Sequence, residues 1–460
     1  MAMTDPWRAD EPEQTSAAWR TDEPEQPSAA WRTDEPEQPS TAWRADECPA
    51  YETVSLSGGP AELRPWRLDD APVMAAACVD PEIALFCMMP AGYTVALARD
   101  FIVDAPRAWS RDGWLHLALT VAGDERPVGA VGALSTDRWP GAAELGYWVM
   151  PHDRGRGLGG AGVALLTDWA FETLRLQRLV IGTMVTNAAS RRIARALGYR
   201  PEALLRSYRA FGEGRTDCVV YSLLVDEWRA SRAARVSDAA RAEGRGEGRP
   251  AAAPPDEALL PALAAARSDY RATTPALPAT PPLLGDGAVL LRPYAEADVP
   301  DLVRACNDAE SRRWLSMLPT PYGERDAREF LAQTAAGWER EHQAFYAIAD
   351  AASDRLLGGV ALRAEESWAG VAELGYHVMP WARRRGVATA AARLVTQWSL
   401  DVLGMARVQI LADTRNAASC AVATRLGFTL EGLRRSDHGL EGDLGDHAVY
   451  SLLAGEPRPW

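Results

Sequence analysis

Lysine is absent: all 49 basic residues of this 460-residue chain are arginine. Genomic codon bias accounts for such a set, and one reading falls with it. A phosphate loop of the G-x-x-x-x-G-K-[ST] kind needs its lysine to reach the phosphates. Cysteine is scarce, with six residues at positions 48, 78, 87, 218, 306 and 420. None forms a C-x-x-C pair, so neither a zinc site nor a disulfide frame is suggested, and no metal ligand is assigned. No apolar run approaches the length of a membrane span, and the N-terminus lacks a signal-peptide core. The expected compartment is the reducing cytoplasm, with no membrane partner. Positive charge is also in deficit: the formal net charge is -14. Residues 1–50 alone hold twelve Asp/Glu against four Arg. A binder of phosphate backbones is normally basic, so no nucleic-acid partner is expected.

The length suggests more than one domain. Residues 1–52 repeat with a period of twelve, each unit opened by Trp7, Trp19, Trp31 or Trp43. A repeat this short, rich in proline and acid, cannot bury a core and reads as disordered; a tryptophan-anchored docking tail is the functional alternative. Beyond it, A-E-L-R-P-W-R-L reads as a strand. A helix follows with Asp69 or Asp70 as its cap, then a helical stretch over 91–110. W-L-H-L-A-L-T-V, P-V-G-A-V-G-A-L and 143–149 read as strands. Val163, Leu166, Ala170 and Leu174 have helical spacing, predicting a helix over 161–174, followed by a strand over 178–185. Asn187 reads as the cap of a helix that ends at Gly198, before a closing hairpin.

Residues 229–280 are rich in Ala and Arg, then in Ala and Pro, and read as a linker. The first unit then starts again. Glu144 recurs as Glu373, Arg154 as Arg383, Asn187 as Asn416 and Tyr221 as Tyr450, each 229 residues on. The expected organisation is two tandem domains, 53–228 and 281–455, each a mixed α/β unit.

Both copies carry a strand E-L-G-Y-x-V-M-P, a short loop, and an apolar helix. The first loop, Arg154-Gly155-Arg156-Gly157-Leu158-Gly159-Gly160, contains a literal G-x-G-x-x-G. A dinucleotide fold would want an acid about twenty residues on, at the end of the next strand. The nearest, Asp168 and Glu172, fall within the helix. The second loop, Arg383-Arg384-Arg385-Gly386-Val387-Ala388, lacks the pattern. Shared by both is R-x-x-G-x-[GA]. Small residues there let backbone amides approach a diphosphate at a helix N-terminus.

With L-R-P in the first strand, E-L-G-Y, R-x-x-G-x-[GA], N-A-A-S, L-G-[YF] and the closing V-Y-S-L-L, each copy resembles the GNAT (Gcn5-related) N-acetyltransferases, specifically the branch that acetylates ribosomal-protein N-termini. The resemblance covers about 54–228 and 283–454. It implies an α+β fold: a central, mostly antiparallel twisted sheet with helices on both faces and a splayed strand pair. It also implies acetyl-CoA as co-substrate, its pyrophosphate on the amides of 155–160 and 384–389. Asn187 and Asn416 would lie beside the donor, with a backbone N–H near Val149 or Val378 holding the developing oxyanion. Ser190 and Ser419 would protonate the departing thiolate, although each also fits as a plain first-turn residue. Glu144 and Glu373 would handle the amine proton through water, or simply fix the loop. The glutamate expected as base after the last helix is replaced by Arg209 and by His438. Arginine cannot serve as a base, whereas His438 has a suitable ordinary pKa, or is a surface residue.

The implied reaction moves an acetyl group to a primary amine, either a protein N-terminus or a small molecule. The rivals are a polyamine- or antibiotic-type acyltransferase and a non-catalytic acyl-CoA sensor. The two units are expected to pack as an intramolecular pseudo-dimer.

Overall fold

The computed structural model describes residues 49–87, 92–135, 141–211, 214–242, 277–278, 280–315, 318–339, 343–364, 370–440 and 443–460. The tryptophan repeats and the proline-rich half of the linker lie outside the described residues.

In the N-terminal unit the strands are β1 (Leu56–Gly58), β2 (Ala61–Pro65), β3 (Trp114–Val121), β4 (Pro127–Ser135), β5 (Ala142–Val149), β6 (Arg178–Met184), β7 (Arg200–Phe211) and β8 (Gly214–Leu224). Its helices are α1 (Ala71–Cys78), α2 (Pro81–Cys87), α3 (Val95–Asp112), α4 (Leu158–Glu172) and α5 (Ala188–Ala196), and α6 (Val225–Ala242) leaves the unit. The C-terminal unit repeats the order. Its strands are β9 (Leu284–Gly285), β10 (Val289–Arg292), β11 (Gln343–Asp350), β12 (Leu356–Ala364), β13 (Val371–Val378), β14 (Arg407–Asp413), β15 (Thr429–Leu440) and β16 (Asp443–Leu453). Its helices are α7 (Val299–Cys306), α8 (Ala309–Trp314), α9 (Glu324–Glu339), α10 (Val387–Asp401) and α11 (Ala417–Arg425).

Alternation of side chains sorts the strands onto two helical layers. Leu117, Leu119 and Val131 pack with Val163, Leu166 and Ala170 of α4. Ala118 and Ala130, their neighbours in sequence, face Met74 of α1 and Ala98 and Ile102 of α3. The second unit divides its core in the same way between α10 and the α7–α9 layer.

Pairing is antiparallel throughout each half except at β5/β6 and β13/β14. Those parallel ladders last three residues. Ala142, Ala143 and Glu144 face Arg178, Leu179 and Val180, and Val371, Ala372 and Glu373 face Arg407, Val408 and Gln409. Beyond them each pair splays apart.

The two halves join edge to edge, giving one 16-stranded sheet with β7 beside β15 at its centre. The contact pairs Ala203 with Gly432, which are equivalent residues of the two copies. An added Cβ at Gly432 would meet Glu202 O at 2.2 Å, so only glycine allows this approach. Ion pairs flank the contact symmetrically. Glu202 accepts from Arg178 at 2.9 and 2.7 Å and from Nε of Arg435, across the junction, at 2.9 Å. Glu431 accepts from Arg407 at 2.8 and 2.6 Å and from Nε of Arg206 at 2.9 Å. Both carboxylates are fully enclosed, so each relies on its arginines and serine, Ser222 or Ser451, to offset desolvation.

Three local expectations are corrected. α4 starts at Leu158, not 161, because Gly157 takes a left-handed φ of 77° and acts as N-cap, drawing Gly159 and Gly160 into the first turn. Asp70 precedes α1 without capping it; its carboxylate binds Arg64 at 2.7 Å and Arg67 N at 2.8 Å instead. The stretch read as one helix over 91–110 is α3, capped by Thr94 and ended by Gly113. The separate short helix α2 precedes it.

Candidate functional site

The site forms where each splay meets the helix after it. In α4 the first intrahelical bond runs from Ala161 N to Gly157 O at 3.0 Å. The amides of Leu158, Gly159 and Gly160 therefore have no acceptor within the helix. In α10 the equivalent bond joins Ala390 N to Gly386 O at 3.0 Å, leaving the amides of Val387, Ala388 and Thr389. The loop conformations also match. Gly155 and Gly157 both have φ of 77°, and Arg384 and Gly386 have 61° and 79°. Arg384 thus holds a left-handed conformation that usually calls for glycine, at a cost of about 1–2 kcal/mol. The second loop keeps the backbone shape after losing the glycine pattern.

The loop arginines point elsewhere. Arg154 donates from Nε to Val149 O at 3.0 Å and pairs with Asp80 at 3.4 Å and with Glu82 on α2. Arg383 binds Asp308 at 2.6 Å and Ser311 of α8 at 2.8 Å. Each fastens a short helix beside the mouth of its splay. Arg156 pairs with the buried Asp153 at 2.7 Å. His152, which is exposed, lies 3.1 Å from the same carboxylate. In the twin, Trp381 takes the place of His152, with the Arg304 guanidinium 3.7 Å from its ring centroid.

Met150 N donates to Val128 O at 2.8 Å and Met379 N to Leu357 O at 2.9 Å. Backbone groups alternate along a strand, so the amides of Val149 and Val378 face the splay side. Glu144 and Glu373 sit at its closed end. The Glu144 carboxylate overlies Gly182, where an added Cβ would lie 2.9 Å from Oε1. Glu373 accepts from Gln409 Nε2 at 3.3 Å.

Asn187 and Asn416 cap α5 and α11, accepting from Ser190 N at 3.0 Å and Ser419 N at 3.1 Å. The serine hydroxyls meet partners that sequence reasoning missed. Tyr147 Oη lies 2.8 Å from Ser190 Oγ, and Tyr376 Oη lies 3.1 Å from Ser419 Oγ. Burial pushes both phenols up to about 12, so each stays a proton donor at neutral pH. The tyrosine of E-L-G-Y, repeated in both copies, was the available signal. Burial also raises the thiols of Cys78, Cys87 and Cys306 to about 11, which disfavours the thiolate needed for a covalent intermediate.

In the C-terminal unit these parts border a cleft of about 1100 Å³ that Glu373, Tyr376, Val378, Arg384, Asn416 and Ser419 line. Its volume suits an extended cofactor-sized ligand. Arg209 lies in β7 with its guanidinium 5.2 Å from the Tyr208 ring centroid. His438 lies in β15 with its backbone opposite Gly445, and its side chain is outside the described residues. Among the described residues, no cluster of His, Cys, Asp and Glu suits a metal ion. No described helix is long and apolar enough to cross a membrane.

A family model described as an acetyltransferase (GNAT) domain matches residues 61–200 and again 288–429. The chain is 28% identical over 167 residues to an uncharacterized N-acetyltransferase, p20, of Bacillus licheniformis, a match covering 36% of this chain and 93% of that one. It is 31% identical over 121 residues to a Bacillus subtilis protein named "Probable N-acetyltransferase YjcK", covering 25% and 64%. Among solved structures it is similar to Mycobacterium smegmatis RimJ in complex with CoA-disulfide, at 23% identity and a TM-score of 0.35, covering 41% of this chain and 95% of that one.

Proposed function

The chain belongs to the GNAT acetyltransferase family, and from that premise we propose that both units, 53–228 and 281–455, transfer acetyl from acetyl-CoA to a primary amine. The pyrophosphate rests on the amides of 155–160 and 384–389, where two matched helix N-termini offer donors and favourable dipoles. Leu158, Gly159 and Gly160, and Val387 and Ala388, supply those amides. Arg156, Arg384 and Arg385 add charge nearby, while Arg154 and Arg383 shape the mouth through their bonds to α2 and α8. The pantetheine arm adds to the open edge of the splay, beside Asn187 or Asn416.

The amide of Val149 or Val378 polarises the thioester carbonyl and holds the oxyanion. Glu144 or Glu373 receives the amine proton through water, with His438 a second acceptor in the C-terminal unit. The amine nitrogen attacks directly. Ser190 with Tyr147, or Ser419 with Tyr376, returns a proton to the thiolate. The acceptor is a protein N-terminus or a small amine. Lacking lysine, the protein offers no side-chain amine of its own for acetylation. We place it in the cytoplasm, acting as an intramolecular pseudo-dimer across β7 and β15.

The observation that carries this reading is the duplicated arrangement: three acceptor-less amides opening on a splay with a serine–tyrosine pair. Its test is release of CoA thiol from acetyl-CoA across a panel of primary amines. Saturable, amine-dependent release is expected. Tight acetyl-CoA binding with no release for any amine would favour the sensor instead.

A further inference from the structure

In the C-terminal unit the closed end of the splay is joined to the junction between the units by buried side chains. Glu373 and Gln409 are side-by-side partners in the β13/β14 parallel ladder, so their side chains leave the same face of the sheet. Glu373 borders the cleft, whereas Gln409 is fully buried. Gln409 Nε2 donates to Glu373 Oε2 at 3.3 Å, and Gln409 Oε1 accepts from Arg407 Nη2 at 3.2 Å. A guanidinium only donates, so the amide must turn its oxygen to Arg407 and its nitrogen to the carboxylate. One orientation of the amide serves both neighbours.

Arg407 is in turn fixed from across the junction. Its Nη1 donates to Arg206 O of the N-terminal unit at 2.9 Å, and its two Nη atoms donate to Glu431 at 2.8 and 2.6 Å. Glu431 accepts from Arg206 N at 3.0 Å and from Arg206 Nε at 2.9 Å. The ring of Tyr208, also of the N-terminal unit, has its centroid 5.6 Å from the Arg407 guanidinium carbon. A continuous path of hydrogen bonds therefore runs from Arg206 in β7 through Glu431, Arg407 and Gln409 to Glu373. The residue equivalent to Gln409 in the first unit is Val180, which lies opposite Glu144 and has no polar side-chain atom. The symmetric junction residues Arg178 and Glu202 thus have no such amide between them and Glu144.

We infer that Gln409 is a positioning residue for the C-terminal reaction: it holds the Glu373 carboxylate in place, and the N-terminal unit, acting through Glu431 and Arg407, holds Gln409. The inference rests on the transfer reading above, in which Glu373 receives the amine proton through water. A proton acceptor works only while its oxygen lies within hydrogen-bond reach of that water, and a carboxylate on a freely turning side chain spends part of its time elsewhere. Gln409 itself touches no substrate; its effect passes through Glu373. The C-terminal cleft therefore depends on the junction for its chemistry as well as for its stability.

The test uses the full chain with one donor loop blocked at a time. Gly157 and Gly386 are poor places for the block, because any side chain at their φ of 77° and 79° strains the backbone. Gly160 has room for a Cβ in the first turn of α4, and Thr389 is its equivalent in α10. Gly160→Glu therefore reports the C-terminal unit and Thr389→Glu the N-terminal one. The probes are acetyl-CoA and a tripeptide with a free α-amine, and each variant is made in the Gly160→Glu chain. Gln409→Met keeps the bulk and loses both hydrogen bonds; it is expected to lower kcat about 10-fold with KM for acetyl-CoA unchanged. Gln409→Glu keeps an acceptor for Arg407 but sets a second carboxylate against Glu373, so it should be no faster than Gln409→Met. Glu431→Asp keeps the charge but draws it back from Arg407, and should lower kcat about fivefold. Added to Gln409→Met it should cost nothing more, because its path is already cut. Glu202→Asp disturbs the symmetric place in the junction and should leave the rate within about twofold. Full activity in Gln409→Met, recovery in Gln409→Glu, or equal losses in Glu431→Asp and Glu202→Asp would overturn the inference alone. No amine-dependent release of CoA by the Gly160→Glu chain itself, with acetyl-CoA still bound, would overturn the transfer reading for this unit and the inference with it.

Discussion

The N-terminal and C-terminal units share a backbone and a donor loop but not an acceptor wall. Loop torsions agree to within 16° between Gly155 at 77° and Arg384 at 61°, although one loop is glycine-rich and the other a run of arginines. One row of the sheet away, Met184–Cys218–Leu205 lies in an apolar cluster in one unit, and the same row is Asp413–His447–Arg434 in the other. On the proposed reading, duplication has kept what would hold the shared ligand and relaxed what would meet the second substrate. Binding a diphosphate through backbone amides tolerates side-chain drift, whereas acid–base chemistry depends on the side chains themselves.

The sharpest break of the comparison lies at its axis. Glu202→Ala strands Arg178 in a fully enclosed site and also removes one partner of Arg435, so a loss of about 3–5 kcal/mol is expected in urea unfolding. Glu431→Ala should cost a similar amount, because its surroundings are the equivalent ones. Unequal losses would show that the halves do not share this junction evenly.

Gly432→Ala tests the strand contact alone. Its new methyl group would press on Glu202 O and Ala203, and a loss of about 1–3 kcal/mol is expected by the same measurement.

Acid should weaken each unit through a different histidine. Burial lowers His116 in β3 and His377 in β13 from 6.5 to about 4. The unfolded chain therefore binds protons first as pH falls. The stabilisation is complete above about 6.5 and is lost between there and about 4, on the order of 3 kcal/mol for each histidine. His116→Phe, which installs the twin's residue Phe345, should flatten part of this dependence while His377 keeps the rest.

The smallest expected effect is on proton delivery. Tyr147→Phe in a Thr389→Glu chain and Tyr376→Phe in a Gly160→Glu chain should each lower kcat about 10-fold, with little change in acetyl-CoA affinity. An effect in one unit alone would mark that tyrosine as the working one.

Much of this was legible because the chain states it twice. Strands β3 to β5, the loops and the asparagine caps recur at one offset, and local periodicity carried their assignment. What escaped depends on register and long-range contact. Nothing near Arg154 announces Glu82, which arrives on a seven-residue helix whose short apolar stretch has no clear period. The start of α4 was misplaced because three glycines hide a helix whose first turn is bare backbone. The junction was expected only as a symmetric packing. Its parts, Arg178, Glu202, Arg206 and their twins, read as ordinary charges in strands until β7 meets β15. The contrast between Cys218 and His447 carries meaning only once register sets their neighbours beside them.

The central claim is that each unit holds its own donor pocket at a helix N-terminus. Calorimetric titration of the full chain with acetyl-CoA tests it, repeated with Gly160→Glu and with Thr389→Glu. The account predicts two sites, one removed by each substitution while the other persists. A chain that binds no acetyl-CoA, or whose sites survive both substitutions, would contradict it.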